Sequence, residues 1–463
     1  MFIEQEPEQE GSLSVSSPSS PFPPVPPGFV LSSAVPAFAM PNPEEADEDE
    51  PWDEPEDEPW DEPEDEPEDE PEDDENSDYN KLLRACLNGD IAAVAAALPS
   101  TSINTLLQDP PQKSALSTIW SPFAAAAGCG HKDIVKLILD TYPNVDPNLQ
   151  DKVKFSPLAA AAEGGQIDIV RWFLDTPGVT KTPESLVWPL ANAAGRGYKD
   201  ILQLFLSSTS VNPNATGRTG ATALDSAAFG GHIDIVELLL ADERVIPDTV
   251  IEGWTPFFSA ANQGCTEVVK RLLEDARVDV NKTGYSGWTP LIAALTMGHF
   301  EVARLLLKDP RVEVAKADCS DWTPLYVCAS DSNDRTEFIK ILLDHPQVDV
   351  NRVNDDGFTP FMGAAINGNI AHVRLLLADA RVDTNKPDNN GTLPIERAAE
   401  RGHIDVVRLL LSVDRVVVDK DRLLTKAQTG LPAYVYDTTP PEQRSELVTY
   451  IKTTLFPDKE PAI

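Results

Sequence analysis

The sequence predicts an all-α repeat solenoid, built from pairs of short helices joined by turns, with a loop leading to the next pair. Three observations predict it. The phrase Gly253-Trp254-Thr255-Pro256-Phe257 returns as Gly287-Trp288-Thr289-Pro290-Leu291 and Asp321-Trp322-Thr323-Pro324-Leu325. The second residue of each Thr-Pro, or its equivalent, falls at Pro122, Pro157, Pro189, Ala223, Pro256, Pro290, Pro324, Pro360 and Pro394, in steps of 32 to 36 residues. After each marker an apolar stretch recurs, as at 167–174, 233–240, 300–307 and 404–411, with Ile, Val and Leu three and four residues apart. A fixed period of this size means stacked copies of one small unit, each too small to bury its apolar face alone.

Each element of the unit has a local cause. Thr289 or Ser121 is placed to cap the first helix, and the following proline sits where a missing N–H costs nothing. Small residues follow, as in Ala124-Ala125-Ala126-Ala127 and Ala159-Ala160-Ala161-Ala162, allowing neighbouring first helices to approach closely. A turn such as Gly231-His232 or Gly298-His299 leads to the more apolar second helix. A loop, whole at Arg277-Val278-Asp279-Val280-Asn281, then extends toward the next unit. On this reading residues 1–78 form a tail, 79–118 an N-terminal capping unit (80–98) and insert, 119–411 nine repeats, and 412–463 a degraded unit with a closing helix at 442–456.

The Gly-x-Thr-Pro-Leu opening, alanine-rich first helix, Gly-His turn, Val-x-x-Leu-Leu second helix and Val-Asp-Val-Asn loop, in that order, resemble the ankyrin repeat. The resemblance implies a helix-turn-helix plus a β-hairpin loop per unit, and a protein partner on the concave face of hairpin tips and first helices. It also exposes departures. The histidine that the family places two residues after the proline, to bond between repeats, is replaced by Ala124, Ala159, Ala191, Asp225, Phe258, Ile292, Tyr326, Met362 and Glu396. Inter-repeat packing is therefore expected to rest more on apolar contact. The Thr-Pro cap is missing at Val187-Trp188-Pro189 and at Thr392-Leu393-Pro394, the two expected weak joints.

The residue before each Thr-Pro pair faces the partner in the family. Here it is Trp120, Phe155, Val187, Ala221, Trp254, Trp288, Trp322, Phe358 and Thr392. The aromatics of consecutive units stand in register and suit a binding ladder, since tryptophan supplies large area at low entropy cost. They equally suit rings that staple adjacent loops together. Trp120, Phe155, Trp254, Tyr285, Trp288, Met297, Trp322 and Phe358 are the candidate partner-binding residues. Neighbouring tip carboxylates favour a partner with basic residues.

Charge divides the chain. Of its 76 acids and 37 bases, residues 1–78 hold 28 acids and no base, so most of the −39 net charge belongs to the tail. Without a basic surface there is no means of releasing counterions from a phosphate backbone, and direct nucleic-acid binding is not expected. The tail begins Ser/Pro-rich and ends acidic, with Pro-Trp-Asp-Glu-Pro-Glu-Asp-Glu written at 51–58 and again at 59–66. Such a composition cannot bury enough apolar surface to fold and is expected to be disordered. Phe22, Pro23 and Pro26 lie in a run that resembles polyproline ligands, and Trp52 and Trp60 resemble tryptophan-acidic docking peptides. Both also read as a solvated spacer and a duplicated solubilising octet.

Five scattered cysteines, no Cys-x-x-Cys and no basic-apolar leader fit a reduced compartment, cytoplasm or nucleus, and no stretch is long enough to span a bilayer. No phosphate-loop motif occurs and no cofactor is expected. Four histidines, His131, His232, His299 and His403, follow turn glycines, a structural place copied between units rather than a catalytic one. Asn281 and Asn351 resemble hydroxylation acceptors but also suit loop asparagines bonded to backbone. The expected protein is a monomeric, non-enzymatic scaffold or adaptor. The alternatives are a regulator or chaperone-like protein that uses its acidic tail on basic partners, and a targeting subunit of an enzyme complex.

Overall fold

The computed structural model describes residues 78–98, 121–142, 145, 147–148, 156–179, 183–207, 211–216, 220–250, 253–430 and 440–457, and the account that follows concerns these. Helices come in pairs. The first members are α1 (Asp78–Asn88), α3 (Pro122–Gly128), α5 (Pro157–Glu163), α7 (Pro183–Gly195), α9 (Ala223–Phe229), α11 (Pro256–Gln263), α13 (Pro290–Thr296), α15 (Pro324–Ala329), α17 (Pro360–Ile366) and α19 (Pro394–Glu400). Their partners are α2 (Ile91–Ala97), α4 (Lys132–Thr141), α6 (Ile167–Asp175), α8 (Lys199–Leu206), α10 (Ile233–Leu240), α12 (Thr266–Leu273), α14 (Phe300–Lys308), α16 (Thr336–Asp344), α18 (Ile370–Ala378) and α20 (Ile404–Leu411). Helices α21 (Lys420–Thr429) and α22 (Pro441–Leu455) complete the stack. First helices pack on first helices and second on second, around one continuous apolar core. The alanine-faced first helices pack more closely, which puts them on the inner side of the stack.

Helices α3 and α5 approach closely. A Cβ added to Gly164 would lie 1.9 Å from the Gly128 carbonyl oxygen, so only glycine fits there. Ser121, Ser156, Thr222, Thr255, Thr289, Thr323 and Thr359 cap their helices, each accepting the N–H three residues on. The two uncapped positions resolve differently. Helix α7 does not open at Pro189: it starts at Pro183, and Pro189 lies inside it, because Pro183 takes the first-turn place where proline suits a helix. At α19 the Glu396 carboxylate reaches back to accept the Leu393 N–H at 2.9 Å, and Arg422 lies 3.1 Å from its other oxygen. That joint is further tied by Arg397 to Asp388 and Glu400, at 2.5 and 2.9 Å, and by Lys426 to Glu400.

Polar ties join the repeats beside the continuous apolar core. The post-glycine histidines supply them. Nε2 of His131, His232, His299 and His403 lies 2.8–3.0 Å from the carbonyl of Leu87, Gly195, Asn262 and Ile366, the last or last-but-one residue of the preceding unit's first helix. A carbonyl only accepts, so Nε2 carries the proton. Burial holds the His403 imidazole below its ordinary pKa.

A second set of ties runs along the loop edge. Asn214, Asn281, Asn351 and Asn385 each donate to a carbonyl of the next loop (Arg244, Arg311, Arg381, Arg415) at 2.6–2.7 Å. Each also accepts an N–H two residues further on, from Ile246, Glu313, Asp383 and Val417, at 2.7–2.8 Å. The loop arginines Arg244, Arg277, Arg311, Arg381 and Arg415 reach back to the carbonyls of Leu206, Leu240, Leu273, Leu343 and Leu377. Lys282, Lys316 and Lys386 add bonds of 2.9 Å to the carbonyls of Asp248, Asn281 and Asn351.

The expected β-hairpins appear as tight turns, with no extended strand among the described residues. Two backbone bonds close each of four tips: one from Gly284 N–H to Trp288 O at 2.8 Å, Asp318 to Trp322 at 3.2 Å, Asn354 to Phe358 at 3.1 Å and Asp388 to Thr392 at 3.1 Å, and a second back to the opening residue's carbonyl from Gly287, Asp321, Gly357 and Gly391 at 2.9–3.2 Å. Too few residues lie between the loop and the next cap to form a ladder.

Candidate functional site

The tips are linked to one another as well as closed. Cys319 N–H donates to Ser286 O at 3.1 Å, Asp355 to Ser320 at 3.2 Å and Asn389 to Asp356 at 3.2 Å. Inside three of the tips an Asx side chain fixes the turn: Asp318 Oδ1 accepts from the N–H of Ser320 and Trp322, Asn354 Oδ1 from Asp356 and Phe358, and Asp388 Oδ1 from Asn390 and Thr392, while the Trp288 tip has Gly284 there. The aromatics at 288, 322 and 358 therefore sit on adjacent, mutually bonded tips.

Each ring is half-buried. Trp254 meets Phe258 edge to face, with centroids 5.1 Å apart and planes at 80°; Trp322 meets Tyr326 at 5.1 Å and 61°. Trp288 packs against the core, and the Arg397 guanidinium lies 5.8 Å over the Phe358 ring. In the Trp254 and Trp322 units Phe258 and Tyr326, at the place of the family's histidine, thus support the tip aromatic four residues before them. The rings hold their own units together and still present a face to solvent. Met297, at the end of α13, is 50% exposed, and Tyr285 stands in a short 3-10 turn, Tyr285–Gly287. Trp120, Phe155, Phe22, Pro23, Pro26, Trp52 and Trp60 lie outside the described residues.

The Trp322 tip departs from its neighbours. The residue before its tryptophan is Asp321, in the left-handed region at φ 57°, where the equivalent tips place Gly253, Gly287, Gly357 and Gly391. Aspartate tolerates this conformation better than most residues, at a modest cost. Its carboxylate pairs with Arg352 at 2.5 Å. Asp356 is one of the tip carboxylates by which the sequence favours a basic partner, whereas Tyr326 enters the sequence reading only at the place of the family's histidine. Tyr326 is only 7% exposed, and Asp356 is exposed on the adjoining tip. Burial first, and the Asp356 charge second, push the Tyr326 phenol upward.

Burial pushes the Cys86 and Cys328 thiols up to about 12, far from the thiolate form. No group of His, Cys, Asp and Glu among the described residues could hold a metal ion, and none of the described helices is long and apolar enough to cross a membrane. Asn281 and Asn351 have both ends of their amides engaged in the loop ties.

Family comparison agrees with the geometry. Ankyrin repeats in three copies match residues 82–184, 241–318, 258–354 and 325–421, and ankyrin repeats in many copies match 190–240. None of the curated proteins compared with the chain matches it.

Proposed function

Because the chain belongs to the ankyrin-repeat family, whose repeats are in general protein–protein interaction modules, we propose that it is a non-enzymatic adaptor that docks a protein partner along its tips and inner helices. One observation carries the proposal. Trp254, Trp288, Trp322 and Phe358 occupy the same place in consecutive units, each half-buried against its own unit and half open to solvent. A rigidly held aromatic loses little entropy on binding, which is why such residues dominate interface energetics. Asp355 and Asp356 beside them favour a partner with basic residues, and like-charge repulsion disfavours nucleic acid. The protein is proposed to work as a monomer inside the cell, where its five free thiols stay reduced. The acidic tail then supplies solubility, steering or a second attachment that adds avidity.

The test is quantitative capture from lysate, with three baits: the full chain, the chain carrying Trp254→Ala, Trp288→Ala and Trp322→Ala, and the chain carrying Trp52→Ala and Trp60→Ala. Circular dichroism checks that helix content is retained. The adaptor reading expects the main partner to be lost with the tip tryptophans and kept with the tail tryptophans. The reverse pattern assigns the activity to the tail.

A further inference from the structure

The tips of α15 and α17 differ from the rest in charge as well as shape. The bond from Asp355 N–H to Ser320 O sets the 354–358 tip directly beside the 318–322 tip. Trp322 and Tyr326 form an edge-to-face ring pair at the base of this corner, and Phe358 closes the adjoining tip. Tyr326 lies against α17, close enough that a Cβ on Gly363 would come within 3.2 Å of its ring. Its ring is more than nine-tenths buried, while its hydroxyl makes no hydrogen bond to the described residues and still reaches solvent, open to an incoming group. On the adjoining tip the exposed carboxylates of Asp355 and Asp356 have no ion pair among the described residues. The nearby Arg352 is already taken by Asp321.

Resting on the adaptor reading, we propose that this corner, formed by Trp322, Tyr326, Asp356 and Phe358, receives a cationic side chain, lysine or arginine, from the protein partner. The cation would donate to the Asp356 carboxylate and the Tyr326 oxygen while lying against the aromatic rings, an arrangement in which ring quadrupole and carboxylate attract the same charge. A neutral or anionic group would desolvate the carboxylate without pairing it. The chain's own acidic run, with 24 acids in residues 44–78, is thereby repelled from the site rather than competing for it.

The probe is an immobilised array of 12-residue peptides, each with one central lysine or arginine between apolar residues, beside copies carrying glutamine instead. The full chain is applied at about 0.15 M salt, where surface charges farther apart than the Debye length are largely screened. The proposal expects wild type to prefer the cationic copies. Asp356→Asn should cut that preference about tenfold and Tyr326→Phe by a smaller factor, with unchanged thermal melts. A cationic preference that both variants retain overturns the proposal and assigns cation binding to the acidic N-terminal run. No preference in wild type overturns it as well. The two levels separate cleanly. If the tip-tryptophan variant keeps its lysate partner, the adaptor reading fails. If that variant loses the partner while Asp356→Asn keeps both partner and cation preference, only the cation site fails.

Discussion

Two neighbouring joints of the stack are closed by different chemistry. Between the 279–282 and 311–316 loops three polar ties cross: Asn281 to Arg311 and Glu313, Arg311 to the Leu273 carbonyl, and Lys316 to the Asn281 carbonyl. One unit on, Ala315 stands in the asparagine place, and Gln347 replaces the arginine and makes no side-chain tie. Arg352 replaces the lysine and turns to Asp321 at the tip. The ties reappear at the opposite edge. This unit has the 36-residue step from Pro324 to Pro360, with its extra residues in the 330–335 turn. Arg335 there is buried, pairs with Asp331 at 2.6 Å and lies 4.3 Å over the Phe300 ring of the preceding unit. Arg304 and Glu337 cross the same joint at 2.8 Å. A repeat array is thus continuous in topology without being uniform in stiffness. This joint is held at its tips and its helix turns and left untied along its loops. It separates Trp254 and Trp288 from Trp322 and Phe358.

The comparison is broken most severely by Arg335→Ala, which strands Asp331 in a largely buried place and removes the stacking on Phe300. A loss of about 3 kcal/mol is expected, read by urea unfolding, with amide exchange accelerated first in α15 and α16. A loss confined to a few tenths would mean that the turn edge does not carry this joint. Asn281→Ala tests the tied joint. It removes two hydrogen bonds on a partly exposed edge and should cost about 1–2 kcal/mol, with faster exchange at Glu313.

Asp248 sharpens the comparison in the stabilising direction. It occupies the asparagine place, accepts the Asp279 N–H at 2.7 Å, and leaves its other oxygen buried without a hydrogen-bond partner. Burial, the largest cause, holds this carboxyl above its ordinary value; the Asp279 N–H and Lys282 oppose that, and the Asp279 and Asp275 charges add to it. The folded chain therefore binds this proton more tightly than the unfolded chain. The penalty is complete above the folded pKa and fades as pH falls through it. Asp248→Asn, which can donate where aspartate cannot, should gain about 1 kcal/mol at neutral pH. Thermal melts should show that gain shrinking toward about pH 4. The smallest effect expected is from Ala315→Asn, about 0.5 kcal/mol, visible as slower exchange at Asp349.

Most of the architecture is legible in the sequence because helix caps, turn glycines and apolar spacing act over a few residues. Thr289 and Pro290 announce α13 without knowledge of anything else in the chain. Pro189 misled for the same reason: a proline suits a first turn, but Pro183 claims that place and only the packed helix shows which proline wins. The ties between units were not legible. Asn281 and Arg311 bond to groups 30 to 38 residues away, and a loop motif does not state which carbonyl it will face. The site is legible in half. Trp254, Trp288, Trp322 and Phe358 share a register that the period alone defines. The approach of Asp356 to Tyr326 depends on how adjoining tips lean, which no single repeat encodes.

Amide hydrogen exchange of the full chain, with and without the captured partner, tests the adaptor reading most directly. Slowed exchange on binding is predicted at 286–291, 320–326 and 354–361, across three adjacent tips and the helices they open. Protection confined to residues 1–78, or to the outer helices α12, α14 and α16, would contradict it.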